Sequence, residues 1–167
     1  MRSRLPLRWV VMGVFVLSSA LNYLDRQILA ALAPVLRAEF DLSNADYGGV
    51  LAAFSIAYAA CSPLAGLFID RFGLNRGIGI GVGVWSLAGT ATGFVRGFGG
   101  LLACRAALGA AEATGIPASG KAAHMYLLPK ERAFGPALTQ IGLSLGAIAA
   151  PPLATFCALR YGWRSAF

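Results

Sequence analysis

Apolar residues gather in five long runs, over residues 9–33, 47–69, 77–95, 101–122 and 133–159, with short polar breaks between them. A run of roughly 20 residues is what an α-helix needs to cross the hydrocarbon core of a bilayer. The pattern predicts an all-α transmembrane chain: a leading segment over residues 1–8, five spans, and a stub over 160–167 that leads toward a sixth helix. Trp9 opens the first run as an interfacial anchor, and Pro34 stands where that helix should stop. A polar loop runs from Arg37 to Asp46, and Ser43 or Asn44 suits the N-cap of the second span. That span passes Phe54, Tyr58 and Ser62-Pro63 and is expected to stop at Asp70.

Small residues mark where helices approach. The third run carries Gly77, Gly79, Gly81, Gly83 and Gly89. Glycine at every second position is not a helical stripe, so smooth surface is expected on several faces. The run does not fit the G-x-G-x-x-G spacing, and no βαβ pattern surrounds it, which argues against a dinucleotide site. In the fifth run Gly142, Gly146 and Ala150 form a packing stripe that leads into a kink at Pro151-Pro152. Residues 123–132, with the only histidine, His124, read as a linker between the last two spans.

Composition agrees: 57% of residues are hydrophobic and only 13% charged. The net charge of +7 would suggest nucleic acid in a soluble protein, but here it reads as topology. Arg2, Arg4, Arg8, Arg71, Arg76, Lys121, Lys130 and Arg132 fall on one side of a back-and-forth threading, against Arg37, Arg96, Arg160 and Arg164 on the other. By the positive-inside rule the N-terminus is expected to be cytoplasmic. The basic start, the apolar Val10–Leu17 and Ser18-Ser19-Ala20 resemble a signal peptide, yet apolar residues resume from Ile28 to Val35, so an uncleaved span is expected. Cys61, Cys104 and Cys157 match no zinc spacing and are expected to be free packing thiols, with no metal and no cofactor implied.

The exceptions to the apolar pattern carry the chemistry. Asp25-Arg26 interrupts the first run, and Arg105 and Glu112 interrupt the fourth. A charge in hydrocarbon persists only if it faces a protein-lined cavity or a partner, so such residues point to function, the alternative being a static ion pair between helices. Arg105 and Glu112 are almost two turns apart on one helix face, about 10 Å along its axis, with Gly109 between them leaving an opening. Counting the helical rise puts Glu112 about 15 Å, Asp25 about 20 Å and Arg105 about 25 Å above the inner boundary. The first and fourth spans, packed side by side, would hold all three in one layer. Burial favours a protonated carboxyl and a nearby arginine favours the charged one, so an anion arriving at Arg105 would promote proton uptake by Glu112 or Asp25. Asn22 and Tyr23 add hydrogen-bonding groups for a polyhydroxyl ligand, although Tyr23 also suits plain packing. Gly142-x-Ser144-x-Gly146 matches a serine-hydrolase pattern, but it lies inside a span with His124 on a loop, so no enzyme is expected.

One further pattern joins the second and third runs: Gly66-x-x-x-Asp70-Arg71-x-Gly73, closing with Arg76. It resembles the signature loop of the major facilitator superfamily. Asn22-Tyr23-x-Asp25-Arg26-Gln27, Arg105-x-x-x-Gly109-x-x-Glu112, Pro129-x-Glu131-Arg132 and Gly142-x-x-x-Gly146 resemble its anion:cation symporters, the hexuronate and aldonate carriers in particular. The resemblance implies a bacterial inner-membrane transporter of twelve helices in two halves, of which this chain holds the N-terminal bundle. It implies proton coupling at Asp25 and Glu112, substrate contacts at Tyr23, Arg26, Arg105 and Gln140, and a cytoplasmic gate built from Gly66, Asp70, Arg71, Gly73 and Arg76. The partners implied are a small organic anion, a proton, the lipid bilayer and the missing C-terminal half, with no nucleic acid. A neutral sugar or a drug as solute, and a non-transporting membrane subunit, remain the competing readings.

Three departures stand out. Leu74-Asn75 replaces a basic pair after Gly73, Gly115 stands where a polar side chain is usual, and Tyr126-Leu127-Leu128 replaces a more aromatic run before Pro129. Alternating access needs two halves around a midplane site, so the chain alone is expected not to transport.

Overall fold

The computed structural model describes residues 5–167. Seven helices succeed one another: α1 (Leu5–Ala31), α2 (Ala33–Glu39), α3 (Asn44–Phe72), α4 (Leu74–Thr92), α5 (Phe98–Glu112), α6 (Gly115–Tyr126) and α7 (Phe134–Tyr161). Short 3-10 turns at Pro129–Glu131 and Trp163–Ala166 complete the regular structure among the described residues. Three segments, Leu7–Ala31, Asn44–Phe72 and Pro129–Tyr161, are long and apolar enough to cross a membrane by length and composition. The third apolar run falls short of that measure because Asn75, Arg76 and its glycines dilute α4. The fourth is divided between α5 and α6, of 15 and 12 residues.

Local chemistry explains the boundaries. Pro34 does not end the first helical rod. Leu32 makes a single turn, and the chain re-enters a helix with Pro34 in its first turn, where the missing N–H has no partner to lose. Ser43 caps α3 through a capping box: its hydroxyl accepts from the Asp46 N–H at 3.1 Å while the Asp46 carboxylate accepts from the Ser43 N–H at 3.0 Å. The α3 helix runs two residues past Asp70 and ends at Gly73, whose φ of +80° admits the sharp turn into α4. The break after α5 has two causes. Thr114, buried, donates its hydroxyl to the Ala111 carbonyl at 2.8 Å, and Pro117 has no N–H to offer the Ala113 carbonyl one turn back.

The helices pair as α1 with α7, and α5 with α3 and α4. The Gly142, Gly146 and Ala150 stripe makes the first pairing: a Cβ on Gly142 would meet the Val16 carbonyl, and one on Gly146 the Ala20 carbonyl. Gly109 does the same for the second. Sequence spacing suggests an opening at Gly109, but the Phe54 backbone of α3 occupies that space. The α4 glycines also divide. Gly77, Gly81 and Gly89 lie at multiples of four and are buried together with Trp85, whereas Gly79 and Gly83 face open space. A run of period two contains an i, i+4 stripe, and this one receives Ile69 and Thr114.

Two apolar clusters close the bundle at its ends. One joins Ile28, Leu32 and Leu36 to Leu101, Ala154 and Trp163, and the other joins Met12 to Ile69, Leu74, Ala118, Ala122 and Leu127. Asp25 and Arg26 of α1 and Arg105 and Glu112 of α5 lie in the layer between.

Candidate functional site

Arg26 reaches from α1 to Glu112 at the last turn of α5. Its Nε donates to Glu112 Oε2 at 2.7 Å, and Nη2 lies 2.7 Å from the same oxygen. The Glu112 side chain is fully buried, while that of Arg26 keeps 30% exposure toward the adjoining cavities. The guanidinium also lies 4.5 Å from the Phe54 ring centroid and 5.0 Å from that of Tyr58, so α3 supplies an aromatic bed for the cation. Because both nitrogens address one oxygen, Glu112 Oε1 is left buried with no hydrogen-bond partner among the described residues, as is Arg105 Nε. A buried polar atom with no partner is costly, and these two lie about two turns apart on one face of α5.

Arg105 is buried on the same face of α5 as Glu112, with its guanidinium 5.8 Å from the Phe167 ring centroid. Glu112 and Asp25 are both within Coulombic reach of it. The three charges therefore interact, but α1 and α5 are not packed side by side. The Arg26 side chain spans the space between them, and Asp25 turns toward α4, where its carboxylate lies 3.7 Å from the position a Cβ would take on Gly89.

Two cavities meet at Arg26. One, of about 160 Å³, extends toward the N-terminal end of α1 past Ser18, Asn22 and Tyr23, with Glu112, Tyr58 and Trp85 on other walls. The second, of about 260 Å³, lies toward the other end, between Tyr23, Arg26, Gln27, Leu51, Phe54 and Arg105. Tyr23 and Arg26 border both. Gln140 borders neither: it lies on the exposed face of α7, and its carbonyl accepts the Ser144 hydroxyl at 3.0 Å. Sequence reasoning noticed Tyr58 only as a feature of the second span and did not single out Trp85. The i, i+4 spacing of Phe54 and Tyr58, stacked at 5.9 Å, was the available signal for the aromatic bed.

The loop signature falls at the end of the bundle nearest the α1 N-terminus. Asp70 accepts from Lys121 of α6 at 2.7 Å, and the same ammonium reaches the Ile69 carbonyl at 3.3 Å. Gly73 makes the turn, Gly66 is half-buried in α3, and Arg71 and Arg76 are exposed. Residues 123–126 belong to α6 rather than to a linker, since Ala122 and Ala123 pack into the core there. The Pro129–Glu131 turn is tied down as well: Glu131 accepts from Arg8 of α1 at 2.9 Å and from the Leu128 N–H at 3.3 Å.

Residues 15–167 match the family model of the Major Facilitator Superfamily. The chain belongs to that superfamily. Over 167 residues it is 36% identical to a hexuronate transporter of Escherichia coli (strain K12), covering all of this chain and 39% of that protein. A galacturonate transporter of Dickeya chrysanthemi is 34% identical over 161 residues, or 96% of this chain and 47% of that one. Among solved structures, a bacterial homologue of the human lysosomal transporter Spinster, inward-facing and occupied, superimposes with a TM-score of 0.85 at 24% identity, over 96% of this chain and 40% of that one. At that identity the likeness speaks for the fold. The chain therefore spans about two fifths of the hexuronate carrier's length, and superfamily membership with its apolar helices makes it a multi-pass membrane protein.

Proposed function

We propose that this chain makes five membrane passes, with α5 and α6 sharing the fourth, and forms one wall of the path of a proton-coupled carrier for sugar acids such as hexuronates or aldonates. The observation that carries the proposal is the Arg26–Glu112 pair at the junction of two cavities, with Arg105 bordering the outer one. Hexuronate and galacturonate transport, the functions of the relatives, support the same class of solute.

A substrate carboxylate entering from either cavity competes with Glu112 for Arg26. Glu112 is the partner that cannot turn to water, because its side chain is fully buried. A carboxylate stripped of its cation in a dry site takes up a proton, so anion binding and proton uptake become one event. The sequence pattern assigned this exchange to Arg105; the pairing favours Arg26 as the cation exchanged, with Arg105 and Asp25 holding the charge balance of the layer. In this reading the N-terminus is cytoplasmic in a bacterial inner membrane, Lys121–Asp70 is a contact of the cytoplasmic gate, and the opposite wall of the path comes from six further helices. Positioned groups that bind the anion and release it on both faces of the membrane are the physical content of alternating access.

The test is uptake of labelled galacturonate by cells expressing the gene that encodes this chain, with an imposed pH gradient. Uptake should rise with external acidity and collapse with a protonophore, and Glu112→Gln should abolish the pH dependence. Uptake indifferent to the gradient would refute proton coupling. Vesicles that hold only this polypeptide should take up nothing, and accumulation in them would refute the need for a second wall.

A further inference from the structure

On α1 the residues Ser18, Asn22 and Arg26 recur every four positions, all border the smaller cavity, and so form a ladder with rungs about 6 Å apart along the helix axis. The middle rung is unusual. Asn22 is only 9% exposed, and its amide, which has no hydrogen-bond partner among the described residues, keeps what exposure it has toward the cavity it lines. An amide open to a cavity offers two donors and an acceptor to whatever fills that cavity, and a solute that displaces water there without replacing its hydrogen bonds pays for the loss. Its neighbours on the helix are not in this condition: the Ser19 hydroxyl is already given to the Phe15 carbonyl at 2.8 Å, and across the cavity Thr139 gives its own to the Gly135 carbonyl at 3.1 Å. Ser18, like Asn22, has no such bond among the described residues.

We propose that Asn22 is the residue that selects polyhydroxylated anions, reading the hydroxyl nearest a carboxylate held at Arg26, with Ser18 reading one further along. This rests on the anion-transport reading above and deepens it. Arg26 recognises any carboxylate that reaches it, because a guanidinium fork carries no information about the rest of the solute. Asn22 supplies that information: a solute with a hydroxyl at this rung satisfies both donor and acceptor, whereas one without it dries the amide and leaves it unpaired. Sites of this kind discriminate by the penalty on the wrong solute more than by the reward on the right one. The remaining lining is consistent with a sugar ring, since Tyr58 and Trp85 offer flat apolar faces with polar edges.

The experiment compares two competitors of labelled galacturonate uptake in cells expressing the gene that encodes this chain: unlabelled galacturonate, and tetrahydropyran-2-carboxylate, which keeps ring and carboxylate and lacks the hydroxyls. In the wild type galacturonate should compete about tenfold better or more, the size of one hydrogen bond left unmade. Asn22→Leu should weaken galacturonate about tenfold and leave tetrahydropyran-2-carboxylate unchanged. Asn22→Ser, which keeps a donor and an acceptor in a smaller side chain, should retain part of the preference and serves if the leucine variant fails to reach the membrane. Arg26→Met should weaken both competitors equally. If the Asn22 variants weaken both alike, or neither, the selectivity role is overturned while the anion site stands. If the wild type binds neither anion, the transport reading falls and the ladder with it.

Discussion

Removing Arg26 should expose how far the buried pair holds the bundle together. The Glu112 side chain has no exposure, and in the folded chain its charge is met by Arg26 Nε and Nη2, both at 2.7 Å. Breaking such a pair from one side costs about 3–5 kcal/mol when both partners are dry, because the other charge is stranded. Arg26 keeps 30% of its side-chain exposure, which admits screening and moves the expected coupling to about 2–3 kcal/mol. Arg26→Met keeps an unbranched apolar stem but removes the guanidinium from over Phe54 and Tyr58, so the single loss includes that cation–π contact and only the cycle isolates the charge pair. The pairwise term comes from a cycle of Arg26→Met, Glu112→Gln and the double variant, measured by unfolding in mixed micelles. Exposure of the three free cysteines, each half-buried, gives a thiol-reactive readout. Arg26→Met alone should shift the folded-to-unfolded ratio by about a hundredfold, and the double variant should recover most of it. Additive single losses, with a coupling below about 0.5 kcal/mol, would refute the view that this pair is an integral contact of the fold.

The packing sets other outcomes. Gly146→Leu should cost at least about 1–3 kcal/mol by driving a side chain into the α1 backbone, while Gly79→Ala, facing open space, should be neutral or stabilising by up to about 1 kcal/mol; equal effects in thermal unfolding would contradict the two-faced reading of the small-residue runs. Hydrogen bonds from Arg164 and then Trp163 hold the Glu39 carboxyl below its ordinary value of 4.5. A carboxyl with a depressed native value adds stability above its unfolded value and loses it as pH falls through the native one, so Glu39→Gln should be less stable than wild type near neutrality and match it in strong acid, read by Trp163 fluorescence. A deficit of the same size at both ends would exclude the carboxylate as its source. Pro117→Ala should restore the N–H that the Ala113 carbonyl lacks and straighten α5 into α6, lengthening the distance between spin labels at 108 and 121; an unchanged distance would assign the break to Thr114 alone.

The apolar runs of α1, α3 and α7 were legible because hydrocarbon thickness fixes their length, and the small-residue stripe of α7 because backbone proximity admits little else. The charged positions were legible for the same reason in reverse, since any ionised group in such a run must have a partner. Which partner was not. Arg105 shares a face with Glu112, and helical phase favours that choice, but phase within one helix carries no information about a side chain arriving from another, and Arg26 takes the place. Gly109 was misread for a related reason: a missing side chain looks like an opening until a neighbouring backbone fills it. The division of the fourth run was written at Pro117, whose effect lies one turn upstream, next to Glu112. Lys121 counted only toward overall charge, although it meets Asp70 once α6 is seen to extend to Tyr126.

That division turns one apolar run into a joint with two arms. The first arm, α5, bears Arg105 and Glu112; the second, α6, bears Lys121 and its hold on Asp70. Lys121 sits about 9 Å along α6 from the joint, so a tilt of about 15° there carries it about 2 Å, enough to open a 2.7 Å contact past bonding range. In the proposed carrier a small rotation at the level of the buried carboxylate would thereby release the contact at the far end of the bundle, with Thr114 as its fulcrum.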